Sequence, residues 1–230
     1  MTEQLVAIVP AAGIGQRMQA DRPKQYLKLH GKSIIEHSIE RLLSHPQITQ
    51  VVVALSSQDG YFSSLAIAQH PKVSTVVGGQ ERANSVLNAA RYVHEIAPTA
   101  WVLVHDAARP CITHSDISAL IAKALVHPVG AILATPVRDT LKYAENQHSA
   151  YTVDRQNLWQ ALTPQMFPVA TLVDALTDAL INNQSITDEA SAFEYRGQAP
   201  ALVTGRADNI KITQPEDLAF AEFYLQRFGC

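Results

Sequence analysis

Two cations, Arg17 and Lys24, stand in and just beyond a loop of small residues, Pro10-Ala11-Ala12-Gly13-Ile14-Gly15. Small residues let backbone N–H groups come close to an anion, and the guanidinium and ammonium then compensate its charge. That combination suits a nucleoside triphosphate. The loop follows an apolar run, Leu5–Val9, and leads through Met18 to Pro23-Lys24-Gln25-Tyr26. Two better-known phosphate loops are excluded by single residues. A dinucleotide fingerprint requires a third glycine where Met18 stands, and a P-loop ending in Gly31-Lys32-Ser33 requires one where Tyr26 stands.

Further candidates follow in the same kind of position. Gly78-Gly79-Gln80-Glu81-Arg82 opens a helical pattern after an apolar run, and Ser85 within it could hydrogen-bond a base or ribose. In His105-Asp106-Ala107-Ala108-Arg109-Pro110, Asp106 could hold a metal-bound phosphate or a sugar hydroxyl, and Arg109 could grip an anion bidentately. Arg155, in Thr152-Val153-Asp154-Arg155, and Lys211, in Asn209-Ile210-Lys211, add cations that local structure does not require. Taken singly these read as βα turns, capped helices or solvated charges. Taken together, Arg17, Lys24, Arg109, Arg155 and Lys211 concentrate positive charge at loop and strand-end positions of a chain whose net charge is −3. The pattern favours substrates carrying several phosphates.

The elements that must position them are short β-branched runs alternating with helical patterns. Strands are predicted at 5–9, 50–55, 73–77, 101–105, 130–136 and 201–204, and helices at 33–44, 82–96, 115–126, 168–181 and 215–227, the last with Pro215 at its first position. Strands apolar throughout and joined by helices imply an α/β fold: a mostly parallel twisted sheet covered on both faces, with the βα loops gathered at one edge. Residues 137–158 break the rhythm. Two strand-like pieces, 140–143 and 151–153, flank polar turn residues and read as a β-hairpin that projects as an arm. A projecting arm points to a partner subunit.

Composition sets the outer bounds. The chain has 230 residues, 47% of them hydrophobic and 17% charged, which suits one globular domain over 1–230 with 137–158 as its arm. The negative net charge argues against a nucleic-acid-binding surface, and no apolar run approaches the roughly 20 residues of a membrane span. Two cysteines, Cys111 and Cys230, read as free thiols, and the expected location is the cytoplasm. The histidines show no metal-ligand spacing.

In order, Pro-Ala-Ala-Gly-x-Gly-x-Arg-Met, Pro-Lys-Gln-Tyr, Gly-Gly-x-Glu-Arg, His-Asp-Ala-Ala-Arg-Pro, Arg138-Asp139-Thr140, Thr152–Arg155, Thr163-Pro164-Gln165, Thr187-Asp188-Glu189-Ala190-Ser191 and Asn209-Ile210-Lys211 resemble the 2-C-methyl-D-erythritol 4-phosphate cytidylyltransferase family of the non-mevalonate isoprenoid pathway. The resemblance implies a Rossmann-like nucleotidyltransferase fold and a homodimer with arm exchange. It also implies transfer of a cytidylyl group from CTP to a polyol phosphate, with Mg²⁺ and release of pyrophosphate. By the same resemblance Pro10, Ala11, Ala12, Gly13, Gly15, Gly79 and Ser85 bind the nucleotide, while Arg17 and Lys24 stabilise charge at the α-phosphorus. Arg155 and Lys211 position the acceptor phosphate, Thr140 and Arg155 come from the partner's arm, and Asp106 and Arg109 contact the acceptor or the metal-bound triphosphate. A cytidylyltransferase for another polyol phosphate, a sugar-1-phosphate nucleotidyltransferase and a non-catalytic nucleotide sensor stay open on the residues alone.

Overall fold

The computed structural model describes residues 3–13, 18 and 22–227. Its elements are β1 (Leu5–Pro10), β2 (Lys28–Leu29), β3 (Lys32–Ser33), α1 (Ile34–Leu43), β4 (Ile48–Leu55), β5 (Val73–Val77), α2 (Arg82–Ile96), β6 (Trp101–Val104), α3 (His114–Ala124) and β7 (Ala131–Pro136). There follow β8 (Leu141–Glu145), β9 (His148–Val153), β10 (Trp159–Pro168), α4 (Val169–Ile181), α5 (Glu189–Tyr195), β11 (Ala201–Thr204) and α6 (Asp217–Arg227).

Seven strands form one sheet in the order β11-β7-β10-β6-β1-β4-β5. Every neighbouring pair runs parallel except those of β10, which is antiparallel to both β6 and β7. Alternation along the strands feeds two core layers. Leu5, Ala7 and Val9 pack with Ile35, Ile39, Leu42, Ile117 and Leu120 of α1 and α3. Val6 and Ile8 pack with Val86 and Val93 of α2, Leu172 and Leu176 of α4, and Phe193 of α5. The result is the doubly covered, mostly parallel sheet that the apolar runs imply.

From β1 the chain moves to β4 and β5 on one side, then returns to the other side of β1 with β6. Loops leaving β1 and β6 therefore diverge at the carboxyl edge and open a crevice between them, where open α/β sheets bind ligands.

Three departures from the sequence expectation have local causes. The central strand β10 was not expected, because Pro164 and Pro168 each lack the N–H that a ladder requires. Pro164 falls where the β10–β7 register shifts, between Ala161 and Gln165, and Pro168 ends the strand opposite Trp101. The short helix α5 was also unforeseen; Asp188 caps it by accepting the Ser191 N–H at 3.0 Å. The last helix begins at Asp217 rather than Pro215, since the Asp217 carboxylate accepts the N–H groups of Thr213 and Gln214 at 2.8 and 2.9 Å. Residues 141–153 form a separate two-stranded sheet, and every residue from 142 to 152 is exposed.

Candidate active site

The loop after β1 is held open from behind. Ala11 N–H donates to Ala54 O at 2.8 Å, carrying the ladder one residue past the strand. The buried Gln25 side chain then donates to the carbonyls of Ala11 and Gly13, at 2.8 and 3.0 Å. With those carbonyls occupied from below, the backbone of residues 11–13 has a fixed outline before any ligand arrives. Beside it, Lys24 Nζ donates to Ile212 O at 2.8 Å, which ties the 22–26 segment to the 209–212 segment.

Across the crevice, Gly78 N–H donates to Leu55 O at 2.7 Å and closes β5 onto β4. A Cβ on Gly78 would lie 2.7 Å from Ala12 Cβ and 2.9 Å from Ser85 Oγ, so only glycine lets the β5 turn pass so close to the loop after β1. Ser85, buried on the first turns of α2, accepts the Gly79 N–H at 3.0 Å and donates to Glu81 O at 3.1 Å. The hydroxyl therefore shapes the turn from within.

At the end of β6 lies a cluster of charge. Asp106 accepts from Arg82 Nε at 3.0 Å on one oxygen, and from Lys211 Nζ at 3.0 Å and Arg109 Nε at 3.3 Å on the other. Arg82 gives one N–H from each terminal nitrogen to Glu189, at 2.6 and 3.1 Å, and Arg109 donates Nη1 to Asn209 O at 2.7 Å. Burial opposes ionisation of Asp106, but Arg82, Lys211 and Arg109 outweigh it and hold the carboxyl well below the usual carboxylate range. Three cations face two carboxylates in this cluster, leaving one positive charge in excess. The backbone beneath is equally fixed: Asp106 N–H donates to Thr163 Oγ1 at 3.0 Å, and Asn209 Nδ2 to Thr163 O at 2.8 Å.

These parts enclose two adjoining cavities. One, of about 220 Å³, is lined by Pro10–Gly13, Lys24, Gln25, Gly79–Arg82, Ser85, Asp106–Ala108 and Lys211. The other, of about 230 Å³, is lined by Arg82, Asp106, Arg109, Thr163, Gln165, Thr187, Asp188 and Lys211 among others. Arg82, Asp106 and Lys211 belong to both walls. An arrangement of this kind can hold two anions side by side against a shared set of cations.

Of the residues singled out in the sequence, Pro10, Ala11, Ala12, Gly13, Lys24, Gly79, Ser85, Asp106 and Lys211 converge on the first cavity, and Arg109 lines the second. Gly15 and Arg17 lie outside the described residues. Thr140 and Arg155 are exposed at the base of the hairpin and line neither cavity of their own chain. Sequence reasoning gave no role to Arg82, Gln25 or Glu189. Their signal was present only as membership of motifs, since an arginine opening a helix and an acid after a capping Asp read as solvated charges.

A family model described as 2-C-methyl-D-erythritol 4-phosphate cytidylyltransferase matches residues 5–227. The protein of that name from Vibrio vulnificus (strain CMCP6) is 64% identical over 225 residues, covering 97% of this chain and 95% of the relative. The one from Vibrio cholerae is 62% identical over 224 residues, 97% of each. A crystal structure of 4-diphosphocytidyl-2C-methyl-D-erythritol synthase superposes with a TM-score of 0.86 at 38% identity, covering 98% of this chain and 100% of that one. The Francisella tularensis 2-C-methyl-D-erythritol 4-phosphate cytidylyltransferase does so with a TM-score of 0.84 at 35% identity, covering 97% and 100%.

Proposed function

Because the chain belongs to the 2-C-methyl-D-erythritol 4-phosphate cytidylyltransferase family, and joins CTP to 2-C-methyl-D-erythritol 4-phosphate with release of pyrophosphate in isoprenoid biosynthesis, we propose that its two cavities divide those substrates. CTP takes the cavity of Pro10–Gly13, Gly79 and Ser85, with its phosphates towards Lys24. The acceptor phosphate takes the cavity of Arg109, next to Lys211. One observation carries this reading: Arg82, Asp106 and Lys211 line both cavities, so the cation cluster lies where two phosphates must meet.

The chemistry needs little covalent help from the protein. An acceptor phosphate oxygen attacks the α-phosphorus in line, the new P–O bond forms, and the bond to the β-phosphate oxygen breaks as pyrophosphate leaves. A phosphate oxygen is already ionised, so no general base is required. What the protein supplies is alignment of two mutually repelling anions and compensation of the charge that develops. Lys24 serves the α-phosphoryl group, Lys211 the acceptor phosphate, and Arg17 joins Lys24 by its spacing in the sequence.

Mg²⁺ is the expected cofactor. Among the described residues no group of three His, Cys, Asp or Glu side chains could hold a metal by itself. The donor set fits an ion carried on the triphosphate, since Mg²⁺ commonly binds substrate phosphates and only one or two carboxylates. Asp106, buried and lining both cavities, is the carboxylate that would hold it; Asp208 pairs with Arg206 and lines neither. Bound there, the ion would add charge compensation at the phosphates.

The hairpin completes the reading. A two-stranded hairpin has marginal stability alone, and 142–152 is exposed along its whole length, so a second copy of the chain is its natural support. In a homodimer the arm would carry Thr140 and Arg155 to the partner's acceptor cavity. Among the described residues no helix is long and apolar enough to cross a membrane, and the cytoplasm suits an enzyme whose substrates are a nucleoside triphosphate and a polyol phosphate. The test is pyrophosphate release with CTP and Mg²⁺, comparing methylerythritol phosphate with ribitol phosphate. Release with methylerythritol phosphate, weakened at the acceptor KM by Lys211→Ala, supports the division of cavities. An unchanged acceptor KM in that variant overturns it.

A further inference from the structure

In the segment Thr187-Asp188-Glu189-Ala190-Ser191, Thr187 and Asp188 line the second cavity, but Glu189 lines neither and its carboxylate is buried completely, 0% exposed. Both its oxygens are taken by one partner, Arg82, whose Nη1 and Nη2 donate at 2.6 and 3.1 Å. This is the paired fork that fixes a guanidinium in plane and direction. The Arg82 Nε–H is thereby aimed at Asp106 Oδ1, 3.0 Å away. Arg82 thus has no spare freedom: one carboxylate holds it and the other is held by it.

The Glu189 backbone is fixed as firmly. Gln165 donates Nε2 to Asp188 at 2.8 Å and accepts the Ala190 N–H at 3.0 Å, so the residues on either side of Glu189 are pinned to β10. Stability alone gives no reason for this construction. A buried ion pair is a weak stabiliser, and an apolar pair of similar volume is often as stable. The reason lies at the far end of the chain of contacts, where Asp106 in turn holds Lys211 and Arg109 on its other oxygen.

We propose that Glu189 is a positioning residue of the transfer reaction: acting through Arg82, it fixes the Asp106 carboxylate, and with it Lys211 and Arg109, at the junction of the two cavities. Neither substrate touches Glu189. The proposal rests on the reading that those cavities hold CTP and the acceptor phosphate.

The test compares Glu189→Gln, Asp106→Asn and the double variant in the full-length protein, with kcat and both KM values measured by pyrophosphate release and folding followed by thermal melting. Glu189→Gln keeps the side-chain shape and removes the charge. Its kcat is expected to fall about 10- to 100-fold, the scale seen when a hydrogen-bond partner behind a ligating group is lost. KM for CTP should hold within about twofold while the acceptor KM rises, because Lys211 and Arg109 face that substrate, and the double variant should lie within about twofold of Asp106→Asn, the scatter within which independent effects add. A lowered melting temperature with unchanged kcat overturns the proposal, as does a loss confined to KM, or losses that multiply in the double variant. Should Asp106→Asn itself be silent, the site reading falls and this inference with it; a damaging Asp106→Asn beside a silent Glu189→Gln removes the inference alone. If Glu189→Gln fails to fold, Arg82→Gln with Glu189→Gln replaces the ion pair by two amides, and wild-type kcat in that variant overturns the proposal equally.

Discussion

Lys24 meets the nucleotide cavity with its ammonium already fixed on the Ile212 carbonyl at 2.8 Å. A cation held in place beforehand stabilises developing charge without reorganising during the reaction. Lys24→Ala is therefore expected to lower kcat about 10²- to 10³-fold at saturating CTP. Normal kcat with a raised KM for CTP would assign the residue to ground-state binding instead. His105 gives a second, independent prediction. Its Nε2 bonds the Arg109 carbonyl at 3.0 Å, which can only accept, so the proton sits there and Nδ1 faces the Thr163 hydroxyl at 3.1 Å. Burial pushes the imidazole pKa down to about 4. Unfolded, the same ring titrates near 6.5, so the unfolded chain gains its proton first and stability falls as pH drops from about 6.5 towards 4. The loss amounts to about 2 kcal/mol by pH 5. Asp106, whose carboxyl lies below its ordinary range, loses its contribution only below about pH 4, outside that window. Urea unfolding at about pH 7.5 and about pH 5 should show wild type losing roughly 2 kcal/mol more than His105→Gln; equal losses would contradict the assignment. Asp106, Arg109 and Lys211 were recognisable as site candidates because a charge at a strand end or in a loop lacks a local reason. Arg82 and Glu189 escaped notice because their reason is each other, 107 residues apart.

Between elements, the narrowest constraint is the contact of the β5–α2 turn with the loop after β1. An alanine at Gly78 would press on Ala12 Cβ and Ser85 Oγ together, and both belong to the wall of the nucleotide cavity. Overpacking of this kind costs about 1–3 kcal/mol. Gly78→Ala should lower the melting temperature and raise KM for CTP, whereas Gly60→Ala, whose added Cβ meets nothing within 4 Å, should leave both close to wild type. A normal KM in Gly78→Ala would mean that the cavity wall can yield at that point. The apolar runs of β1 and β4 were legible because their patterning and burial coincide, whereas β5 and β11, at the sheet's two edges, are only partly buried and were legible from their apolar and β-branched residues alone. Strand β10 was not legible, since its two prolines stand where the ladder is interrupted or ends, a fact of pairing that no local window contains. The hairpin turn was narrower than its polar residues implied. Asn146 and Gln147 both have positive φ, +47° and +67°, as a two-residue turn requires, but Gln147 lacks the glycine that would have marked it.

For the molecule as a whole, the sheet order places the site and the arm in different relations to one chain. The crevice between the loops after β1 and β6 is built entirely from the central strands outward, and Lys24 reaches it from the same chain. Thr140 and Arg155 stand at the foot of a hairpin that belongs to no part of that sheet. If the arm crosses to a second copy, each site takes Lys24 from one subunit and Arg155 from the other. This has an arithmetic consequence that folding defects cannot imitate. Homodimers of Lys24→Ala and of Arg155→Ala should each be severely impaired. When the two chains are mixed by co-expression, the heterodimer has one site missing both residues and one site missing neither. Random pairing makes about half the dimers mixed, so activity should recover to roughly a quarter of wild type. If Arg155 instead serves its own chain, every site in every dimer lacks one residue, and mixing restores nothing.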